Sequence, residues 1–453
     1  MRKVYIALTS LLLSATMVSA QQPLRLSLQE CIDYAIKNSY TMKNAHIDVL
    51  IQEQQVKQTT AAALPHVNGK IEVNNFIIPQ YSYIGAGSFS IPGIPPPPKD
   101  SLMRAQFTIP YTANLSASAS QILFDGSVLV ALQARRTVME MAKATERLTE
   151  EEIRYNVLKS YNSLVIAYKQ FDIIKGSLTL LRSMEHDLDL MRQAGFAEKI
   201  DIDRTTVQVN NLATDSLRVA NNLVVAEQVL KYTLGMNINT PIVLTDTAIG
   251  KFQNDALKLV AAEEDITRVP QYNVLMSGLK LNEYNLKRYK LSAIPTLAAV
   301  YMLGVNSGAY YGKDLFDGDR YRDNNYSMVG LSLNIPIFNG LSRQHQVTEA
   351  RLNIEKTRNN IDNFKLAVSF QAATARTSLK NALLQVQSQK RNLDLSGNVL
   401  DLAQRKYKEG VGSNLEVTNA QTELMRAQSN YFSALMEVVT AEADLKKALG
   451  TLK

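Results

Sequence analysis

The chain has 453 residues, 49 of them Lys or Arg and 42 Asp or Glu, with one cysteine, no tryptophan and 20 tyrosines. Removing Arg2 and Lys3 from the net charge of +7 leaves +5, and the remaining charges are interspersed along the chain, which excludes a nucleic-acid surface. The lone Cys31 excludes an internal disulfide, and the length alone leaves the domain count open.

Residues 1–20 read as a secretory signal peptide: Arg2 and Lys3, an apolar run from Val4 to Val18, then Val18-Ser19-Ala20 as a cleavage site. The run is shorter than the ~20 residues that a membrane span needs. No later stretch reads as a transmembrane helix, so a membrane-spanning part must be a closed β-barrel, which pairs its backbone polar groups between strands. Cys31, on the apolar side of SLQECIDYAI, reads as a small buried side chain.

A helix is expected from Leu28 to Leu64, opened by the capping-box pattern Ser27-Leu28-Gln29-Glu30 and stopped by Pro65. Strands are expected at His66–Ile78 and Phe107–Phe124, where NLSASASQILF alternates small or apolar with polar residues. Gly126 then permits the turn into a proline-free helix over 127–194, followed by a turn at Gly195 and a helix over 198–234. After a linker over 236–264 the pattern returns. It runs through a helix Asp265–Ile294, a stop at Pro295, strands Thr296–Val305 and Tyr326–Phe338, and a corner at Gly340. Helices over 341–409 and 413–449 follow, with a turn at Gly410 between them.

The order is one unit built twice, repeat 1 over 21–235 and repeat 2 over 265–453. Pro65 and Pro295 are 230 positions apart, Phe124 and Phe338 are 214 apart, and the pairs Gly195/Gly410 and Gly235/Gly450 are both 215 apart. The change of offset between the first two landmarks places an insertion in the first copy, and IPGIPPPPKD, Ile91–Asp100, is that insertion.

Either proline-free helix would run on the order of 100 Å at about 1.5 Å per residue, and needs partners along its whole length. Heptads supply them. Val417, Leu424, Tyr431, Val438 and Leu445 recur every seven residues, with Ala420, Ala427, Ala434, Ala441 and Ala448 three positions later. Ile202, Val209, Ser216, Leu223 and Leu230 match the first series, and Thr205, Leu212, Val219, Ala226 and Thr233 the second. This is a coiled-coil seam with a small-residue column for close helix approach.

Taken together, LSLQECIDYAIKNS, the two helix-Pro-strand joints, the paired LFDG and IFNG corners, YKEGVGSNLEVTNAQTEL and the terminal EADLKKALG resemble the TolC family of outer membrane efflux proteins. The resemblance spans essentially the whole mature chain. Cys31, where the family has a small residue, and the proline insertion depart from the pattern.

The resemblance implies a mainly α fold with a small β part, assembled as a homotrimer. Four strands from each chain would make a 12-stranded transmembrane β-barrel, and the helices an α-barrel across the periplasm. Four strands cannot close a conducting barrel, whereas three such sets can. The implied location is the bacterial outer membrane, in contact with its lipid. The implied partners are a periplasmic adaptor (membrane fusion) protein and an inner-membrane transporter of RND or ABC type. The linker would form the equatorial band. Tyr81, Tyr83, Tyr310, Tyr311, Tyr321 and Tyr326 lie in or beside the strand-to-strand loops, as an aromatic girdle, as outer-surface contacts, or as loop residues of no special role.

By the same resemblance Gly195, Phe196, Ala197, Gly410, Val411 and Gly412 form the two tip turns that meet the adaptor, although the glycines also fit plain helix C-caps. Asp201 and Glu416, six residues past each tip glycine, would line the periplasmic entrance as a ring of six carboxylates in the trimer. Glu416 also fits a capping box from Ser413, whereas Asp201 does not, its cap position being Glu198. Arg204 and Asn419 replace a second acidic layer, and Tyr407 matches a tyrosine that holds the entrance shut. Pro65, Gly126, Pro295 and Gly340 are the strand–helix corners.

Chemistry is sparse. His46, His66, His186 and His345 are scattered, without HExxH, a Cys/His cluster, GxSxG or a phosphate-binding glycine loop. DLFDGDRYRDNN, Asp314–Asn325, lacks the EF-hand spacing and reads as a solvated loop. No cofactor or metal is expected, and an enzyme is the class the sequence supports least. The expected function is a passive exit duct for small molecules delivered by a pump through an adaptor. The rivals are a type I protein-secretion duct and a periplasmic coiled-coil scaffold that enters no membrane.

Overall fold

The computed structural model describes residues 23–85, 98, 101–246, 259–315 and 324–452. The signal peptide, nearly all of the Ile91–Asp100 insertion, the middle of the linker, Tyr321 and most of the Asp314–Asn325 loop lie outside the described residues. The chain divides into two compact units: Met1–Ile51, Glu140–Gly278 and Thr357–Lys453 in one, Gln52–Met139 and Leu279–Lys356 in the other.

In the second unit β2 (His66–Asn75), β5 (Tyr111–Phe124), β7 (Thr296–Ala309) and β8 (Asn324–Asn334) form one antiparallel sheet in the order β2-β5-β7-β8. Because side chains alternate across a strand, the register sorts them into two faces. On one face Val67 pairs Ala119, Ile71 pairs Leu115, Leu115 pairs Val305, Tyr301 pairs Val329 and Ala299 pairs Leu331. On the other, Lys70-Ser116-Gly304-Tyr326 and Glu72-Asn114-Asn306-Asn324 form successive rows. The apolar face is uncovered: Ile71 is 75% exposed and Val329 82%.

Several joints differ from expectation. The strand expected to reach Phe338 stops at Asn334, since Pro336 offers no ladder donor, and the strand expected from Phe107 starts at Tyr111, just past Pro110. A separate hairpin, β3 (Tyr81–Gly85) with β4 (Leu102–Gln106), carries the insertion, and Arg104 stacks on the Tyr81 ring at 3.5 Å. Tyr326 lies on the polar face, flat across Gly304, where an added Cβ would meet its hydroxyl at 2.6 Å. Its position sets it on the face opposite the exposed apolar one.

The two strand–helix corners are also built differently. At the first, the Asp125 carboxylate accepts the Ser127 and Val128 N–H groups at 2.7 and 3.2 Å. Gly126 needs no positive φ there. Its missing Cβ instead admits the Leu291 carbonyl, 2.8 Å from where that atom would sit. At the second corner Gly340 and Leu341 both take the left-handed conformation, φ 64° and 65°. Pro65 and Pro295 stand immediately before β2 and β7, and Gln121 Nε2 donates to the Ala63 carbonyl at 2.6 Å beside the first of them.

The helix expected over Leu28–Leu64 is two helices, α1 (Leu28–Asn38) and α2 (Tyr40–Ala61). Ser39 is extended at φ −61°, ψ 138°, ends α1 through its N–H to the Ala35 carbonyl, and opens α2 by accepting the Met42 N–H. The capping box at Ser27 and Glu30 is formed. The long helices are α3 (Gly126–Gln193), α4 (Lys199–Leu234), α5 (Pro270–Leu291), α6 (Ser342–Lys408) and α7 (Asn414–Ala448). Val417, Ala420, Ala427, Ala434, Val438, Ala441, Leu445 and Ala448 are buried on α7, and Thr205, Val209, Leu212, Val219 and Leu230 on α4.

The core around α1 joins Cys31, Ile32 and Ala35 to Val157, Tyr161 and Leu164 of α3 and to Leu230 and Leu234 of α4. A parallel pair, β1 (Leu24–Leu26) with β6 (Ile242–Leu244), brings the start of the chain onto the linker. Its other described end is clasped to α6, where Arg376 donates to the Ala262 carbonyl at 2.6 Å and to Glu264 at 3.1 Å.

Gly195, Gly235, Gly410 and Gly450 all take positive φ, from 62° to 79°, at the ends of α3, α4, α6 and α7. Each donates to the carbonyl three residues back, and the next residue to the carbonyl five back, as in a Schellman end. Gly235 packs against Ser39, and Gly450 against Arg268, so each repeat closes on the joint ahead of its strand-feeding helix.

Where α3 meets α7, Glu152 pairs with Lys447 and Tyr155 donates to Asp444 at 2.7 Å. Buried Glu151 lies beside them, and its carboxyl is pushed up to about 7 by burial, with Lys447 opposing and the Glu152 charge adding. An unfolded glutamate titrates near 4.3, so this contribution to stability is whole below roughly pH 4.3 and is lost as pH rises through about 7. Glu151→Gln keeps the shape without the proton. We expect it to flatten a fall on the order of 2–3 kcal/mol between pH 5 and 8, read from thermal midpoints across that range.

Candidate functional site

The two tip turns are alike in backbone. Phe196 and Val411 each follow the positive-φ glycine and donate to Met191 and Lys406 carbonyls at 2.8 and 3.0 Å. In such an end the residue after the glycine commonly packs back on its own helix. Here the Phe196 and Val411 side chains are 80% and 79% exposed, an apolar knob on each tip. Ala197 is half-buried, and Gly412 is closely packed, an added Cβ meeting the Lys406 Cβ at 3.0 Å.

Asp201 stands in the first turn of α4, beneath Glu198, whose side chain makes no cap bond. Asn414, in the first turn of α7 and buried, donates its amide to the Asp201 carbonyl at 3.2 Å and approaches the Asp201 carboxylate at 3.4 Å. Tyr407 packs on Leu400, Ala403, Val417 and Ala420, with its hydroxyl 3.9 Å from Met191 Sδ. Burial first, then the Asp201 charge, pushes the Tyr407 phenol upward, so it stays a neutral donor. Asp201, Tyr407 and Asn414 thus form one group in which α4, α6 and α7 meet.

Glu416 is not part of it. Its N–H is accepted by the Ser413 hydroxyl at 3.2 Å, and its side chain lines a groove with Lys406, Asn419 and Glu423. At 100° per residue Glu416 lies about 160° around α7 from Thr418, whose carbonyl accepts from Gln208 of α4. The two carboxylates that the sequence paired therefore lie on different faces of the chain.

The sequence reading missed the polar layer behind Asp201. Asn414 Oδ1, Gln208 Oε1 and both polar atoms of Gln421 are buried without a protein partner, and Gln421 is 1% exposed. Asn414 and Gln421 are one heptad apart, which marks them in sequence as polar residues on an interior stripe. Among the described residues no group of His, Cys, Asp and Glu fits a metal ion, and no helix is long and apolar enough to cross a membrane.

Residues 292–451 match the sequence model of the family described as "Outer membrane efflux protein". Over these residues the chain is similar to outer membrane efflux proteins. Its similarities are those of an outer membrane efflux channel of the TolC type. Outer membrane efflux protein BepC of Brucella suis is 22% identical over 454 residues, covering 98% of this chain and 89% of the relative. Outer membrane protein TolC of Escherichia coli is 22% identical over 349 residues, 74% of this chain and 69% of TolC. The crystal structure of the Campylobacter jejuni CmeC outer membrane channel superimposes with a TM-score of 0.70 at 16% identity, covering 94% of this chain and 85% of CmeC. These relatives are outer membrane channels and not enzymes, and the structural match extends well beyond the residues of the family match.

Proposed function

We propose that three copies of this chain close one exit duct across the periplasm and outer membrane. It would pass small molecules delivered by an inner-membrane pump of RND or ABC type through a periplasmic adaptor. The observation that carries the reading is the β2-β5-β7-β8 sheet. Its edge strands β2 and β8 are each paired on one side only among the described residues, and one face is mostly apolar with Ile71, Leu115, Val329 and Leu331 exposed on it. Such a sheet is an aggregation hazard in water and unfinished in lipid, and barrel closure removes both faults. β2 and β8 run antiparallel to each other, so joining β8 of one copy to β2 of the next keeps an antiparallel barrel at any copy number. Three copies give 12 strands, wide enough to conduct.

The tips supply the other end of the duct. Phe196 and Val411 offer exposed apolar knobs for the adaptor. Asp201, held by Asn414 and facing Tyr407, is the carboxylate placed to set the charge of the entrance, and an adaptor that binds the parted arrangement more tightly would open it. A protein-secretion duct would use the same architecture.

Single-channel recording of the purified trimer in a planar bilayer tests the reading. Discrete, long-lived steps with cation preference are expected, and folded trimers that stay silent even after deletion of both tip turns would leave only a scaffold. In the same recordings Asp201→Ala should weaken cation selectivity by about twofold or more, with Glu416→Ala giving the smaller change. Unmoved reversal potentials in Asp201→Ala would remove the entrance role.

A further inference from the structure

The four strands of the sheet carry only two full charges, Lys70 and Glu72, apart from His66 at the base of β2. They are two residues apart on one strand, so they project from the same face, and Lys70 Nζ is ion-paired with Glu72 Oε1. That face is the polar one: Lys70 stands in the row of Ser116 and Gly304, Glu72 in the row of Asn114 and Asn306. Both side chains are well exposed in the single chain. A charge of this kind on the lipid face is strongly disfavoured, so in a closed barrel the pair faces the water-filled lumen. Tyr326 ends the Lys70 row and packs against Gly304.

We propose that Lys70 and Glu72 form a self-compensating collar that keeps the exit barrel electrically neutral, so that the barrel wall passes solutes of either charge and selection by charge is left to the entrance. The inference rests on the trimeric pore reading. Three copies would set three ion pairs around the lumen, each cancelling its own field at short range. Removing one partner leaves three like charges in a confined aqueous path, where fixed rings of one sign select ions. The collar is therefore a latent filter, and its two members act with opposite sign.

The test uses full-length trimers in planar bilayers under a salt gradient. Lys70→Gln should raise the potassium-to-chloride permeability ratio by about twofold or more, Glu72→Gln should lower it, and Lys70→Gln/Glu72→Gln should return it to the wild-type value. Ratios that stay unmoved in both single variants, or move the same way, overturn the collar. Wild-type trimers that never conduct sink the pore reading and the collar with it, whereas conducting trimers with unmoved ratios sink the collar alone. A second readout guards against an entrance that dominates the ratio. Lys70→Cys reacted with a negatively charged methanethiosulfonate should change the conductance of an open pore, against a silent wild-type background, because Cys31 is the only cysteine and is buried. A conductance that ignores the reagent overturns the lumenal placement.

Discussion

Alanine at Gly235 is expected to cost roughly 2–5 kcal/mol of stability, the sum of a left-handed conformation that a Cβ resists and a contact that has no room for one. The new atom would sit 2.8 Å from the Ser39 Cα and 3.0 Å from the Asn38 carbonyl, both backbone, so neither yields by a rotamer change. Ser39 is where α1 stops and α2 starts, so the strain would fall on the break itself. Gly450→Ala should behave alike, against Arg268. Gly195→Ala and Gly410→Ala are the controls. They share the positive φ but face open space, and should cost only about 1 kcal/mol. Denaturant midpoints of the detergent-purified protein read all four, and a loss at Gly235 no larger than at Gly195 would refute the packing argument.

Arginine at Val329 should prevent stable residence in the outer membrane. A cation at the lipid midplane costs about 2–4 kcal/mol, and a trimer would carry three of them. Val329 pairs with Tyr301 on the uncovered apolar face. Ile71→Arg, on the edge strand of that face, should act in the same direction. Ser118→Arg is placed on the polar face opposite Met302 and should be tolerated. Fractionation of cell envelopes followed by detection of the trimer separates these outcomes. Val329→Arg recovered in the outer membrane at wild-type level would mean that the faces are assigned the wrong way round.

The order and ends of the elements were legible because they are written in local chemistry. Positive-φ glycines end four helices, prolines stand at both helix–strand joints, and the small-residue column of α7 is buried along its length. Alternation in NLSASASQILF, whose side chains fall by turns on the apolar and polar faces, comes from the same period-two geometry. Each signal depends on residues within one or two turns of one another. The break at Ser39 was missed although Asn38-Ser39 carries a capping residue, because helical periodicity runs on through it.

What the sequence by itself determined is the type and order of the elements and which side of each strand or helix is apolar, since these follow from backbone sterics and hydrophobic period. Only the tertiary structure decided the rest. It laid β1 on β6 more than two hundred residues away, closed Gly235 on Ser39, gave Gly126 a packing role in place of a turning one, and raised the Glu151 pKa by burial, against the opposing Lys447 charge. It also tied Asp201 to Asn414 while turning Glu416 to another face, although the two acids hold matching places in the repeat. A repeat fixes equal backbone positions, but the neighbours of each position come from distant segments, and those set burial, hydrogen bonding and charge.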